Sequence, residues 1–442
     1  MTARKAALEA LRRTEKGAFS TIALDNILAK NGMEERDKAL ASALFYGVLE
    51  NRIQLDAAIS ALLRKPNQKL ESDVRIILRM GIYQLGYMDR IPDSAAVDES
   101  VKLTRQSGHN SASGFVNGIL RSYIRAGKTT PLPDRKKEPL LWLSLRYSCP
   151  MWIVELWRES YGEELCEHIL SSLSGRAPIF ARVNTMRTNR DELIDRLERE
   201  GVKAEAYPVM DNAVLLENTG DVERLESYKN GLFHVQDAAS QLCAMNVCAK
   251  CGDVILDACA APGGKSFTVA QTAKDDCTVI ACDVHSSRVD LIAEGAERLG
   301  LDSVKARRRD AAKAGSKIVA DKVLCDVPCS GLGVIRRKPD IKNKSRSELD
   351  ALPELQYTIL ETNAACVRPG GRLIYSTCTL NPEENGKVFD RFLAEHSEFA
   401  PAKLIVPADI VRRVDEPEHE LTLFPERDGW DGFFMAAAVR KE

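Results

Sequence analysis

Two thiols and one acid close two late apolar runs. The first run is Lys322-Val323-Leu324-Cys325-Asp326-Val327-Pro328-Cys329-Ser330-Gly331, and the second is Leu373-Ile374-Tyr375-Ser376-Thr377-Cys378-Thr379. A strand running into Asp-x-Pro-Cys sets a carboxylate and a thiol at a tight turn, and the second strand delivers another thiol. Such a trio at one sheet edge suits covalent chemistry on a poorly reactive ring carbon. Carbon 5 of cytosine is one. A thiolate adding at carbon 6 makes carbon 5 electron-rich, which divides one hard step into two easier ones. The chemistry needs a nucleophilic thiol, an acid near ring nitrogen 3 and a base for the carbon 5 proton. Cys378, Asp326 and Cys329 are suitable, but the residues alone do not rank the two thiols.

The methyl donor is expected upstream. Ile255-Leu256-Asp257-Ala258-Cys259-Ala260-Ala261-Pro262-Gly263-Gly264-Lys265 reads as a strand, a small-residue loop and a helix start. The small residues from Cys259 to Gly264 let backbone approach a ligand, and the helix start at Lys265 offers unpaired N–H groups. Asp283 ends the next strand at a spacing that suits a ribose hydroxyl pair, and Asp310 follows the third, where an acid reaches an adenine amine. Ligands of open α/β sheets sit at these carboxyl ends. Gly264-Lys265-Ser266 ends like a phosphate-binding P-loop, but that motif has glycine where Cys259 stands. The dinucleotide fingerprint Gly-x-Gly-x-x-Gly is absent as well. A nucleoside without a pyrophosphate fits, and S-adenosyl-L-methionine is the expected cofactor.

The elements that must position these groups follow from periodicity. Strands are expected at 254–258, 279–283, 304–308, 322–326 and 372–377, with helices between them and closing strands near 399–405 and 432–439. Residues 236–442 thus read as an α/β Rossmann-like domain with a doubly wound, mostly parallel sheet. Residues 140–235 read as a small α+β middle domain. They hold a helix near 152–161, strands at 179–184, 202–207, 213–216 and 232–236, and helices at 191–200 and near 222–229. Asn189 with Glu192 three residues on marks a helix start, and Gly201 a helix end. Residues 128–139 hold prolines and charges and read as a linker. Residues 1–127 read as an all-α domain. Val74, Leu78, Gly81 and Leu85 share one face with Arg75 and Arg79 off it, and Gly47, Gly81 and Gly86 predict close helix packing.

At 442 residues, 44% hydrophobic and 29% charged, the chain is long enough for two or three packed domains. No apolar run reaches membrane-spanning length and residues 1–20 carry no signal-peptide pattern, so a cytoplasmic protein without membrane contact is expected. The 12 cysteines are expected as reduced thiols. Cys248-x-x-Cys251 lacks a second pair at a matching distance, so no metal is expected. Cys243, Cys277, Cys282 and Cys366 are expected to pack as small apolar groups, and His285 to start a surface helix. Residues 1–140 hold 23 Lys and Arg against 16 Asp and Glu, whereas the remainder holds 39 against 48. A basic front suggests a polyanion partner. Lys305, Arg307, Arg308 and Arg309 form one cationic cluster, and Arg336, Arg337 and Lys338 form another, expected at RNA phosphates.

Ordered blocks add a resemblance. Gln236-Asp237, the segment from Asp257 to Lys265, Asp326-Val327-Pro328-Cys329-Ser330-Gly331-Leu332-Gly333, Ser376-Thr377-Cys378-Thr379, Pro382-Glu383-Glu384-Asn385 and Asp431-Gly432-Phe433-Phe434 resemble the RNA 5-methylcytosine methyltransferases of the NOL1/NOP2/Sun family. That family usually has alanine where Val327 sits. Phe45-Tyr46-Gly47-Val48, Gly81-Ile82-Tyr83-Gln84-Leu85, the block from Ile91 to Ser100 and Gly114-Phe115-Val116-Asn117-Gly118-Ile119-Leu120-Arg121 resemble the NusB-like RNA-binding domain. The resemblance implies that Cys378 is the nucleophile and Cys329 assists proton removal and release. It further implies that Cys259, Ala260, Ala261, Pro262, Gly263, Gly264, Lys265, Asp283, Asp310 and Asp326 contact S-adenosyl-L-methionine, and that Asp326 also faces the cytosine. The implied substrate is small-subunit ribosomal RNA; because the base has to leave its stack, RNA unassembled or partly assembled is the expected form, and no protein partner is expected. A transfer RNA methyltransferase and a non-catalytic NusB-like assembly factor are the alternatives.

Overall fold

Buried apolar positions in the first 125 residues recur at helical spacing. In the computed structural model, which describes all residues except 18, 19, 31, 66, 67, 316, 427 and 428, they form α1 (Ala3–Glu15), α2 (Ser20–Lys30), α3 (Glu35–Glu50), α4 (Arg52–Leu62), α5 (Ser72–Tyr87), α6 (Asp93–Gln106) and α7 (Ser113–Arg125). Helix α5 packs against α1, α3, α4, α6 and α7. It therefore buries Ile76, Ile77, Met80 and Ile82 as well as its expected face. A helix apolar on most sides has to be surrounded. Arg79, expected off the buried face, is only 3% exposed. Its guanidinium donates to Asp56 at 2.7 and 2.8 Å and to Glu15 at 2.6 Å, so paired carboxylates make that burial tolerable. The glycines behave as expected. A Cβ on Gly47 would lie 1.9 Å from the Tyr83 ring, and one on Gly81 would lie 2.8 Å from Leu120.

Two more helices follow, α8 (Pro139–Arg146) and α9 (Met151–Ser171). Helix α9 runs ten residues past its expected end, crossing a break at Gly162, where φ is +81°. The described chain divides into two compact units. One is Met1–Gly175 with Ile335–Lys344, and the other is Arg176–Val334 with Ser345–Glu442. Helices α8 and α9 therefore group with the front helices and not with residues 176–235. The ten residues 335–344 leave the expected catalytic segment and join the helical unit. There the Lys342 ammonium donates to the Glu50 carbonyl at 3.1 Å, and Arg52 donates to Asn343.

The second unit holds two sheets. The smaller comprises β1 (Ile179–Val183), β2 (Lys203–Ala206), β3 (Ala213–Glu217) and β4 (Phe233–Val235), antiparallel in the order β2-β3-β1-β4. Helix α10 (Arg190–Arg199) follows β1, and its start is capped as expected, with Asn189 accepting from the Glu192 N–H at 3.0 Å. Helix α11 (Glu226–Lys229) precedes β4. Helix α12 (Ala238–Met245) then leads into β5 (Val254–Asp257), α13 (Gly264–Thr272), β6 (Thr278–Asp283), α14 (Ser286–Leu299), β7 (Val304–Arg308), β8 (Ala320–Asp326), α15 (Leu352–Ala364), β9 (Val367–Thr377), α16 (Gly386–Glu395), β10 (Phe399–Pro401), β11 (Glu420–Leu423) and β12 (Phe433–Arg440). Their order is β10-β12-β9-β8-β5-β6-β7, with β11 on β12. The β5–β9 ladders are parallel and the β12 ladders antiparallel.

The doubly wound reading holds, with two corrections. Among the described residues no helix joins β7 to β8, and Lys313, Ala314, Gly315, Lys317 and Val319 on that connection are exposed, with no apolar face for a helix to bury. Strand β11 was not anticipated; its four residues are too few to show alternation. Among the described residues no helix is long and apolar enough to cross a membrane.

Candidate active site

Strand β5 is flanked by β6 and β8, so the chain order reverses beside it. Crevices at such switch points hold ligands at the carboxyl ends of strands. Asp257 ends β5, Asp283 ends β6, Asp326 ends β8, and Asp310 follows β7 by two residues. Asp326 pairs in register with Ser376 on β9. Its carboxylate accepts from Ser376 Oγ at 2.8 Å and from Lys265 Nζ at 2.7 Å.

Beyond these strand ends the two thiols converge. Cys329 Sγ and Cys378 Sγ are 3.2 Å apart, both half-buried and neither in a disulfide. The hydrogen bond to Cys378, then burial and the charge of Glu384, hold the Cys329 pKa well above the usual thiol range.

A buried carboxylate braces the two thiol loops. Glu384 is 0% exposed. It accepts from the Ser330 N–H at 2.8 Å, from Gln356 Nε2 at 2.9 Å and from Asn381 Nδ2 at 2.9 Å. Gln356 also donates to the Pro328 carbonyl at 3.0 Å. Ser330 and Thr379 hydroxyls meet at 2.6 Å, one beside each thiol. The Gly333 N–H donates to the Cys378 carbonyl at 3.1 Å, and the Gly432 N–H donates to the Gly333 carbonyl at 2.9 Å. A Cβ on Gly333 would lie 2.1 Å from that Gly432 carbonyl oxygen, so glycine is required where the chains cross. Sequence reasoning assigned Glu384 no role; two adjacent glutamates give no sign of which one turns inward. Glu384→Gln keeps the volume but turns an amide N–H toward donors. Methyl transfer is expected to fall about a hundredfold through thiol misplacement, with cofactor affinity unchanged. A methylation time course beside a cofactor titration checks this, and unchanged turnover would remove the brace from the account.

The small-residue loop is shaped as expected, with one difference. Ala260 N–H donates to the Cys282 carbonyl at 2.7 Å and Gly263 N–H to the Ala260 carbonyl at 2.7 Å, so these two donors are engaged within the protein. The Ala261–Pro262 bond is cis, and Gly263 has φ +111°, with the Phe267 ring 2.3 Å from where a Cβ would be. Burial pushes the Cys259 thiol well up, away from nucleophilic use. Asp257 Oδ2 accepts from Ser266 Oγ at 2.7 Å while Oδ1 is buried without a partner among the described residues. Burial pushes this acid up to about 7, against the Ser266 hydrogen bond. Asp283 Oδ1 takes the His285 N–H at 2.9 Å, which places His285 at the start of α14 as expected, and Oδ2 lies 3.9 Å from Arg288. Asp310 takes the Ala312 N–H at 3.1 Å. Acceptor oxygens at the ends of β5 and β6, beside a loop of small residues, suit an adenosyl ligand at this switch point. Lys265, expected at that ligand, sends its ammonium to Asp326 and over the Phe433 ring, 5.2 Å from its centroid. Burial opposes its charge, but Asp326 holds its pKa above the usual value.

The cationic clusters divide. Lys305, Arg307 and Arg308 are exposed, whereas Arg309 is half-buried and donates to Asn363 at 2.6 Å. Arg336 is 5% exposed and is thus withdrawn from the expected RNA contact, while Lys338 is exposed. Cys243, Cys282 and Cys366 are buried packers, and Cys277 is half-buried. Cys248 and Cys251 donate to separate carbonyls, those of Asn246 and Ala273.

Comparison with known proteins agrees with this geometry. Residues 244–439 match the family described as 16S rRNA methyltransferase RsmB/F, residues 149–223 its ferredoxin-like domain, and residues 1–125 the NusB family. The crystal structure of PH0851 is 26% identical, with a TM-score of 0.81 over 100% of this chain and 98% of that one. A methyltransferase homologue from Pyrococcus horikoshii is 25% identical, with a TM-score of 0.60 over 68% of this chain and 99% of its own. Fold and site define a Rossmann-like methyltransferase that uses S-adenosyl-L-methionine. The probable ribosomal RNA small subunit methyltransferase B of Bacillus subtilis is 37% identical over 99% of this chain and 98% of its own. The enzyme of that name from Vibrio cholerae is 32% identical over 100% and 98%. The chain belongs to the ribosomal RNA small subunit methyltransferase B family, and so to the rRNA methyltransferases.

Proposed function

We propose that this enzyme methylates carbon 5 of a specific cytosine in small-subunit (16S) ribosomal RNA through a covalent bond between Cys378 and the base. The observation that carries the reading is the pair of thiols 3.2 Å apart beside strand-end Asp326. Cys378 thiolate adds to carbon 6. Asp326, oriented by Lys265 and Ser376, faces nitrogen 3, and the Lys265–Asp326 pair balances the charge that forms there. The bound cofactor supplies an electrophilic methyl group on its sulfonium. Residues 259–265 with Asp283, Asp310 and Asp326 hold it, and the acceptor oxygens of Asp257 and Asp283 support that placement. Carbon 5 then carries both a methyl group and a proton. Cys329 takes up that proton as its own thiol proton passes to the departing Cys378 sulfur 3.2 Å away, the carbon 6–sulfur bond breaks and the ring double bond re-forms.

The target base has to leave its stack to meet a half-buried thiol. An exposed loop of RNA not yet packed into a subunit is the substrate that allows this. The NusB-like helices hold the RNA backbone, no protein partner is required, and the reaction takes place in the cytoplasm. Bisulfite mapping of RNA from cells with and without this protein tests the reading. The expected result is loss of methylation at one cytosine of small-subunit rRNA. Loss in the transfer RNA pool, with rRNA unchanged, would overturn it.

A further inference from the structure

Arg182 is anomalous. Its side chain on β1 is 5% exposed, yet its buried Nε has no hydrogen-bond partner and no charged group offsets the guanidinium among the described residues. A guanidinium does not shed its proton at neutral pH, so it has no neutral form in which to hide. Burying it without a counter-charge is strongly unfavourable. Arg79, equally buried, shows the ordinary solution, with two carboxylates on its nitrogens. No carboxylate offsets Arg182, and burial alone lowers its pKa to about 10.

A second buried group points to the same place. Gln271, in the last turn of α13, is 3% exposed, and neither its Oε1 nor its Nε2 has a partner among the described residues. Arg182 and Gln271 line one cavity of about 580 Å³, with Asn212, Met245 and exposed Lys274 around it. All these residues belong to the compact unit that carries the thiols. Gln271 is seven residues beyond Gly264, about 10 Å farther along the helix axis, so the cavity is separate from the cofactor loop.

We propose that this cavity binds a phosphate group, with the Arg182 guanidinium and the Gln271 amide as donors and Lys274 as the charge at its mouth. Guanidinium geometry matches phosphate oxygens in pairs. Gln271 Oε1 remains as an acceptor, and the 2′-hydroxyl beside an RNA phosphate is a donor that a free phosphate ion lacks. RNA backbone is therefore the favoured source, an assignment that rests on the RNA-methylating reading above; the phosphate site itself does not.

The full-length protein is compared with Arg182→Met and Lys274→Gln, using an unmodified small-subunit rRNA fragment and inorganic phosphate as probes. Arg182→Met removes an unpaired charge and is expected to fold, and Lys274→Gln alters only an exposed group. Arg182→Met is expected to weaken rRNA binding about tenfold and lower the salt slope by about one. Lys274→Gln is expected to shift both in the same direction by less. Phosphate is expected to raise the melting temperature of the parent protein and not that of Arg182→Met. If phosphate protects only the parent while rRNA affinity is equal in all three, the RNA assignment falls and the site takes a free anion. If neither variant changes rRNA affinity or the phosphate response, the site is overturned. A parent protein that keeps the phosphate response but leaves rRNA unmethylated would sink the functional reading alone.

Discussion

Replacing Cys378 by alanine is expected to end methyl transfer to rRNA and to leave cofactor binding intact. Turnover is expected to fall at least about 10⁴-fold, the scale of losing a covalent nucleophile. The size of the loss follows from the chemistry. Without addition at carbon 6, carbon 5 of cytosine is too weak a nucleophile to take the methyl group, and the neighbouring Cys329 thiol, held well above the usual range, is a poor replacement. Cofactor affinity is spared because the acceptor oxygens of Asp257 and Asp283 lie on other strands, at β5 and β6. Tritium transfer to unmethylated rRNA gives the first quantity, and calorimetry with the demethylated cofactor product gives the second. Residual turnover within tenfold of the parent would place the nucleophile elsewhere.

Cys329→Ala is expected to trap the enzyme on its substrate. The Cys378 attack and methyl transfer proceed, but the group that relays the carbon 5 proton is gone. With that proton retained, the ring double bond cannot re-form and Cys378 cannot depart. A protein–RNA adduct stable to denaturing electrophoresis should accumulate toward one per enzyme, and turnover should drop by about 10²–10⁴, the range for lost general base catalysis. The raised pKa of Cys329 fits this division, since a thiol kept protonated by its neighbour, by burial and by Glu384 is a poor nucleophile. The pair of variants also tests the opposite order. Adduct formation by Cys378→Ala, with none by Cys329→Ala, would exchange the two roles.

Much of this architecture was legible in the residues. Alternating and continuous apolar runs located β5 to β9, because a strand buried on both faces has few other compositions open to it. Asn189 located the start of α10, since its side chain can satisfy a helix-end N–H without help from elsewhere. The thiols, Asp326 and the small-residue loop stood out because their types are uncommon at strand ends.

Other features had no local signature. Arg79 looked like a surface charge, and only Asp56 and Glu15, brought from two other helices, let it be buried. Residues 335–344 follow the Cys329 turn directly, yet their contacts join them to the helical unit. Glu384 and Glu383 are indistinguishable neighbours until Ser330, Gln356 and Asn381 close around one of them.

Local patterning was enough to pick out the reactive side chains and the strand ends that carry them, because helical and strand periods are short-range properties of the chain. Only long-range packing brings Cys329 and Cys378, 49 residues apart, to 3.2 Å, turns Lys265 from the cofactor loop to Asp326 and buries Arg182 with its Nε unpartnered among the described residues. Those outcomes depend on which distant groups share a small volume, and pairing across a sheet sets that only when every strand is in place.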